Sequence, residues 1–184
     1  MYISETEFHA LPPSEREEKE LNVYKKLASL GIEYTGLDHD RADTMEICEL
    51  IEKRLGAEIC KNLFLCNRQQ TAFYLLMTPG KKVFKTKFLS EQIHSSRLSF
   101  ADAEHMRELL NVTPGSVSVF GLMYDTGHRV QLLIDKELLK QEYIGCHPCV
   151  NTSVLKLRTE ELLNVFLPAI GVSPQFVELP DISE

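Results

Sequence analysis

The stretch "GCHPCVN", residues 145–151, gathers residue types that do much of the covalent chemistry in proteins. Cys146 and Cys149 stand two residues apart around His147 and Pro148. That spacing suits a redox dithiol or half of a structural zinc site. A redox dithiol needs a helix to begin at the pair, because a helix N-terminus lowers a thiol pKa. The residues that follow, "VNTSVLKLR", open on a polar turn and then alternate as a strand does. A closed zinc site needs four ligands, usually two such pairs. Cys48, Cys60 and Cys66 supply no second C-x-x-C. Two small half-buried thiols are therefore the expectation, with no metal and no cofactor. His147 is a different case. The proline after it biases the histidine towards extended backbone, and a proline marks a strand edge or bulge because it cannot donate to a ladder. A histidine at such a break can aim its ring into a pocket, or it can be an ordinary surface or core residue.

Three more sets of residues could carry chemistry. Lys61 lies in "CKNLFLC", where a two-residue period puts it on one face with Leu63 and Leu65, and Asn62 on the other with Phe64. An amine on an apolar face must reach solvent, pair, or bind an anion such as a phosphate or a polarised carbonyl oxygen. "VTPGSVSVFGL", residues 112–122, holds Pro114-Gly115 and then Ser116 and Ser118. Glycine there either lets the backbone approach a ligand closely or simply makes a turn. Lys81, Lys82, Lys85 and Lys87 are spaced so that they could follow a phosphate backbone or form a solvated loop. No G-x-S-x-G elbow, P-loop or H-E-x-x-H occurs.

These residues need elements to hold them. Pro12-Pro13 ends a lead segment, residues 1–13, and "EREEKELNVYKKLASLG" has helical periodicity with Gly31 as its stop. "IEYTGLDH" has a strand pattern. Asp43-Thr-Met-Glu46 resembles a capping box opening a second helix that Gly56 ends. "CKNLFLC" and "TAFYLLM" are strands buried on both faces and joined by the turn Asn67–Gln70. A basic loop and helix follow, then the helix in "SFADAEHMRELLN". "SVSVFGLMYD" and "RVQLLID" predict a hairpin around Thr126-Gly127-His128. "KELLKQE" is a short helix, "YIGCHPCV" and "SVLKLR" are strands, "TEELLNVFLPAIG" is a helix and "QFVELP" a last strand. Strands interleaved with helices predict an α/β (α+β) class: a mixed or partly closed barrel-like sheet with flanking helices.

The 184 residues suit one domain, 43% hydrophobic and 26% charged, which is ordinary for a soluble globular chain. No apolar run approaches the roughly 20 residues of a membrane span, and the acidic N-terminus lacks a signal-peptide layout. A cytoplasmic protein is expected, so two matches to the glycosylation pattern, at Asn111 and Asn151, carry no weight. Five cysteines in a reducing compartment do not predict a disulfide framework. Net charge is −7, which argues against indiscriminate binding of nucleic acid, DNA included. From Lys61 to Arg97, however, seven basic residues face one acid, Glu91, a local balance of +6.

Taken in order, "KNLFL" (61–65), "VTPGSVSVFGL" (112–122), "LLIDKELL" (132–139) and "HPCVNTSVLKL" (147–157) resemble the YbaK/prolyl-tRNA-synthetase-associated editing domains. The free-standing ProX- or PrdX-like branch is the most similar, and the lead helix, "LGIEY" and "LDHD" extend the resemblance over nearly the whole chain. The resemblance implies a mixed, barrel-like sheet among helices. It implies hydrolysis of the ester joining a wrong amino acid to tRNA, for this branch alanine on tRNA(Pro). A synthetase pocket cannot strongly reject a smaller side chain, since a few methylenes are worth only ~1–3 kcal/mol, and a second, smaller pocket completes the sieve. By the same resemblance Lys61 is the essential lysine, Gly115 the glycine of the substrate-positioning loop and His147 the histidine of a His-Pro motif. Asn62, Ser116, Ser118 and Asn151 would contact substrate, and Lys81, Lys82, Lys85 and Lys87 the tRNA. Water would attack directly, helped by the substrate's own 2′-hydroxyl. Prolyl-tRNA synthetase or an elongation factor could be a further partner. Some relatives carry G-x-x-x-P in the loop, whereas this chain has valine at the last position, Gly115-Ser-Val-Ser-Val119. Two other readings stand beside this one: a non-catalytic tRNA-binding or regulatory module of the same fold, and a Cys146/Cys149 redox or zinc protein.

Overall fold

A computed structural model describes residues 1–12 and 14–182, so Pro13 lies outside the described residues. Helix α1 (Glu18–Ser29) buries Val23, Tyr24 and Leu27 on one face and leads into strand β1 (Tyr34–Asp38). Helix α2 (Met45–Leu55) is capped by Thr44, whose hydroxyl accepts from the Ile47 N–H at 3.4 Å. The cap falls one residue after the expected Asp43, whose carboxylate lies 3.7 Å from Arg41 instead. Strands β2 (Lys61–Cys66) and β3 (Phe73–Thr78) form the expected antiparallel pair. The Asn67 side-chain oxygen ties their turn by accepting from the Thr71 and Ala72 N–H groups at 2.8 and 3.1 Å. Helix α3 (Thr86–Gln92), the two-residue strand β4 (Ser99–Phe100) and helix α4 (Ala103–Leu110), capped by Asp102, follow.

The structure corrects the predicted hairpin. Val119–Tyr124 is a 3₁₀ helix capped by the Ser118 hydroxyl, and β5 (Val130–Asp135) runs parallel to β3. The reason is burial. Val119, Phe120, Gly121 and Leu122 are buried in succession, which a half-exposed strand would not allow. Gly121 also packs so closely on the end of α4 that a Cβ there would lie 2.7 Å from the Leu110 carbonyl oxygen. A second 3₁₀ helix, Lys136–Lys140, precedes β6 (Tyr143–Cys146) and β7 (Ser153–Arg158). Helix α5 spans 159–169 with a π segment, Leu162–Phe166, just before Pro168. Proline has no N–H for an ordinary helical bond, and the wider turn absorbs the mismatch. Strand β8 (Gln175–Val177) pairs parallel to β5.

Five strands, in the order β4-β2-β3-β5-β8, make a mixed sheet, and β1-β7-β6 make a smaller antiparallel one. The expected mixed, barrel-like sheet is thus present as two sheets, not closed into a full barrel. They meet at one parallel bridge, Ile59 with Gly145, where Gly145 N–H donates to Glu58 O at 2.7 Å and Cys60 N–H to Gly145 O at 3.0 Å. The main core fills the space between them, with Phe64, Leu75 and Leu132 from one sheet and Ile144, Leu155 and Leu157 from the other. Helix α3 covers the outer face of the larger sheet through Leu89, and α2 covers the smaller one through Ile51 and Leu55. Immediately past the bridge, β2 begins at Lys61 and β6 ends before His147. Among the described residues no helix is long and apolar enough to cross a membrane.

Candidate active site

A cavity of about 380 Å³ opens beside this bridge. Its floor is Cys60, Lys61, Asn62, Leu63 and Phe64 of the β2 region, with Gly115, Val117 and His147 opposite. Helix α2 contributes Met45, Cys48, Glu49 and Glu52, α4 contributes Met106, and Lys81 and Phe100 stand at the rim. The structure therefore brings together Lys61, Asn62, Gly115, His147 and Lys81 from the sequence-predicted set.

Lys61 starts β2, and its amine donates to the Lys82 carbonyl oxygen at 2.6 Å. That carbonyl is firmly placed. The Lys82 side chain is buried and its amine donates to Asp135 at 2.9 Å and Glu137 at 2.8 Å, while Thr78 donates to the same Asp135 oxygen at 3.0 Å. Burial alone would lower the Lys82 pKa, but the hydrogen bonds to Glu137 and Asp135 raise it. Lys61 has no carboxylate within ion-pair distance among the described residues, and burial pulls its pKa down. A single carbonyl contact leaves two of its three N–H donors for an incoming anion.

His147 Nδ1 lies 2.7 Å from the Ser153 carbonyl oxygen. A carbonyl can only accept, so Nδ1 carries the proton and Nε2 is left with a free lone pair. Burial pushes the His147 pKa down to about 4, against the opposing pull of the Ser153 carbonyl and with a further push from His39. The ring is neutral at pH 7. Its backbone is held as well, because Ser118 Oγ donates to His147 O at 2.5 Å. Ser153 in turn donates from its hydroxyl to Glu20 at 2.8 Å, and Glu20 accepts from Arg16 at 2.5 Å. Arg16 also forks onto Asp38, so the turn before α1, α1 itself and β1 are tied to the residue whose carbonyl orients His147.

Gly115 has φ +87, a conformation that L side chains rarely adopt. Its α-carbon faces Arg41 and the Asn151 amide, which a Cβ would meet at 3.5 and 3.7 Å. Asn62 uses its side-chain oxygen to accept the Val119 N–H at 3.0 Å, and its amide donates to Cys60 O and Sγ at 3.3 and 3.4 Å.

Several expected residues sit elsewhere. Ser116 turns back on the loop, donating to Thr113 O at 2.9 Å and accepting from Thr113 N–H, so it does not line the cavity. Ser118 caps the 3₁₀ helix and holds His147 from behind. Asn151 is buried with its side-chain oxygen unpartnered, next to Gly115 but outside the cavity wall. Lys82, expected at the tRNA, is instead an internal strut, because Asp135 and Glu137 capture its amine. Lys85 and Lys87 are exposed on the loop and first turn of α3, away from the cavity lining. Cys146 and Cys149 are fully buried, not half-buried, and Cys149 occupies left-handed backbone at φ +64. Burial pushes the Cys149 thiol up to about 12, which makes it inert. Among the described residues no group of three or more His, Cys, Asp or Glu is arranged to hold a metal ion.

Sequence reasoning missed Phe100, Met106, Met45, Glu49 and Glu52, which packing brings to the cavity from two helices, α2 and α4, and one strand, β4. It also missed Arg41 beside Gly115 and His39, whose ring centroid lies 5.6 Å from that of His147.

A lysine with no carboxylate at ion-pair distance among the described residues, a neutral histidine and a glycine-bearing loop thus surround one cavity beside the seam of the two sheets, and the fold that holds them is that of the aminoacyl-tRNA editing domains. The aminoacyl-tRNA editing domain model matches residues 39–165, and the chain belongs to that family, as an enzyme acting on the aminoacyl-tRNA ester. The chain is 34% identical over 157 residues to the prolyl-tRNA editing protein ProX of Acetoanaerobium sticklandii, covering 85% of this chain and 95% of that one. It is 28% identical over 147 residues to prolyl-tRNA synthetase associated domain-containing protein 1 of Danio rerio, covering 79% and 78%. In fold it is similar to a crystal structure described as a candidate trans-editing enzyme for prolyl tRNA synthetase. The TM-score is 0.65 at 18% identity, over 90% of this chain and 98% of that one.

Proposed function

We propose that the protein hydrolyses mischarged tRNA(Pro) in trans, with alanine as the misattached amino acid. The observation that carries this reading is the convergence of Lys61, Asn62, Gly115 and His147 on one cavity, in a chain similar to a prolyl-tRNA editing protein. Lys61 offers its free N–H donors to an oxygen of the terminal phosphate or the reacting ester, where charge develops as water adds. The bare Nε2 of His147 accepts a hydrogen bond from the ribose hydroxyl or the attacking water, and so orients it. Gly115 lets the loop backbone approach the aminoacyl end without a side chain in the way. Among the described residues no serine or threonine lines the cavity, and direct attack by water is the step assigned to this site.

A panel of mischarged tRNAs, with ester loss followed over time, tests the reading. Ala-tRNA(Pro) should be cleared fastest and Pro-tRNA(Pro) spared. Lys61→Ala should lose roughly 10²–10³ in turnover, the scale of removing one such electrostatic group, with its unfolding midpoint unchanged. Tight binding of tRNA without release of any amino acid would overturn the catalytic reading in favour of a binding module.

A further inference from the structure

Cys146 has a close sulfur neighbour, and it is not Cys149. The Cys60 and Cys146 sulfurs lie 3.3 Å apart, both buried. We infer that Cys60 and Cys146 are a modification site, a dithiol that peroxide oxidises to a disulfide across the seam between the two sheets, closing down the adjoining cavity. The closing-down rests on the deacylase reading above, whereas the covalent chemistry does not.

The backbone register makes the bond feasible. Ile59 and Gly145 are bridged in parallel, so the next residue on each side, Cys60 and Cys146, are direct neighbours across the seam. Adjacent strands lie about 4.8 Å apart, inside the ~4.4–6.8 Å range of Cα separations that disulfides span. The sulfurs need only close from 3.3 Å to about 2.05 Å, by side-chain rotation. The roles of the two thiols differ. Cys60 lines the cavity and meets a small oxidant there, while Cys146 is fully buried behind it. The contact with Cys146 lowers the Cys60 pKa against the opposing push of burial and raises that of Cys146, and the Asn62 amide, donating to Cys60 Sγ at 3.4 Å, lowers Cys60 further.

The chemistry balances with hydrogen peroxide as the oxidant. The Cys60 thiolate attacks one peroxide oxygen, the O–O bond breaks, and the departing hydroxide takes a proton to leave as water. The Cys146 sulfur then attacks the Cys60 sulfenic sulfur. The S–S bond forms, the S–O bond breaks, and the Cys146 proton leaves with that oxygen as the second water. Two thiols lose two electrons in all. The new bond sits one residue before Lys61 and one before His147, and it draws Cys60 Sγ away from Asn62. Displacements of about 1 Å at such positions cost on the order of a hundredfold in rate.

The test uses the full chain, reduced and then treated with hydrogen peroxide. The expected result is an intact mass lower by two hydrogens, and a digest containing a Cys60–Cys146 linked peptide pair. Release of alanine from Ala-tRNA(Pro) should fall roughly a hundredfold and return with dithiothreitol. Cys146→Ala should keep its activity through the same treatment, and Cys149→Ala should respond like the wild type. A missing Cys60–Cys146 pair, or a Cys146–Cys149 link in its place, overturns the site. A link that forms without loss of turnover overturns its effect on the cavity. If the reduced protein deacylates nothing, the deacylase reading fails, and the linked peptide still decides the thiol chemistry.

Discussion

Lys61 and His147 reach the same cavity in opposite electrostatic states. Among the described residues Lys61 has no carboxylate at ion-pair distance and burial lowers its pKa, while His147 is held neutral by burial. The histidine's state has a measurable cost in acid. Its folded pKa is about 4 against 6.5 for the free side chain, so between these values the unfolded chain binds the proton and the folded one does not. Stability from this group is therefore full above pH 6.5 and declines as pH falls towards 4. Integrated over that window the loss is up to about 3 kcal/mol. Urea unfolding at pH 7 and pH 4.5 should show a steeper decline for the wild type than for His147→Gln, which cannot titrate. Parallel declines would mean that the ring is not held neutral. The two residues are legible in sequence for local reasons: an amine at the start of an apolar strand, and a proline that ends one. Ser116 and Ser118 are not, because the direction of a hydroxyl depends on turn geometry that no pattern of residue types records.

At the scale of elements, the 3₁₀ helix Val119–Tyr124 explains why valine stands where some relatives have proline. The Val119 N–H donates to Asn62 across the cavity floor, a bond that proline cannot make. The backbone would otherwise accept proline, since position 119 is the first of the helix and Ser118 before it is already extended at φ −148, ψ 144. Val119→Pro should thus fold, yet lose about 1 kcal/mol relative to Val119→Ala, the usual net value of one hydrogen bond. In a double-mutant cycle with Asn62→Ala the two losses should overlap by about that amount. Additive losses would show that the bond does not hold Asn62. The sequence reads this element as half of a hairpin because "SVSVF" alternates like a strand. What overrides the pattern is packing: α4 and α5 cover this segment, with Phe120 against Phe166 at 5.2 Å between ring centroids. The β2–β3 pair, by contrast, is legible because continuous apolar runs flank a short polar turn. The Phe100 and Met106 walls of the cavity come from β4 and α4, which only the tertiary fold carries to Lys61.

For the molecule as a whole, a net charge of −7 has to be reconciled with an RNA substrate. The +6 balance of residues 61–97 is the natural meeting place, but the structure divides it. Lys82 is spent internally on Asp135 and Glu137, and Lys61 lies inside the cavity. Arg68, Lys81, Lys85, Lys87 and Arg97 remain exposed, and Phe100, 61% exposed, stands at the cavity rim with Lys81. An exposed ring beside cations suits a single-stranded RNA end, which binds by base stacking and phosphate contacts together. Two classes of substitution should therefore separate. Lys82→Ala leaves Asp135 buried without its cation, and should cost about 3–5 kcal/mol in stability, the range for breaking a buried pair. Lys85→Glu with Lys87→Glu should leave stability nearly untouched but raise the KM for Ala-tRNA(Pro). Each phosphate that these lysines no longer neutralise should also flatten the dependence of log affinity on log salt by roughly 0.7–0.9. Phe100→Ala should raise KM with little change in that slope, because stacking releases no counterions. Titrations at several salt concentrations distinguish these outcomes. If the Lys85/Lys87 variant keeps the wild-type slope, the RNA approaches from another face, and Arg41 beside Gly115 becomes the next cation to test.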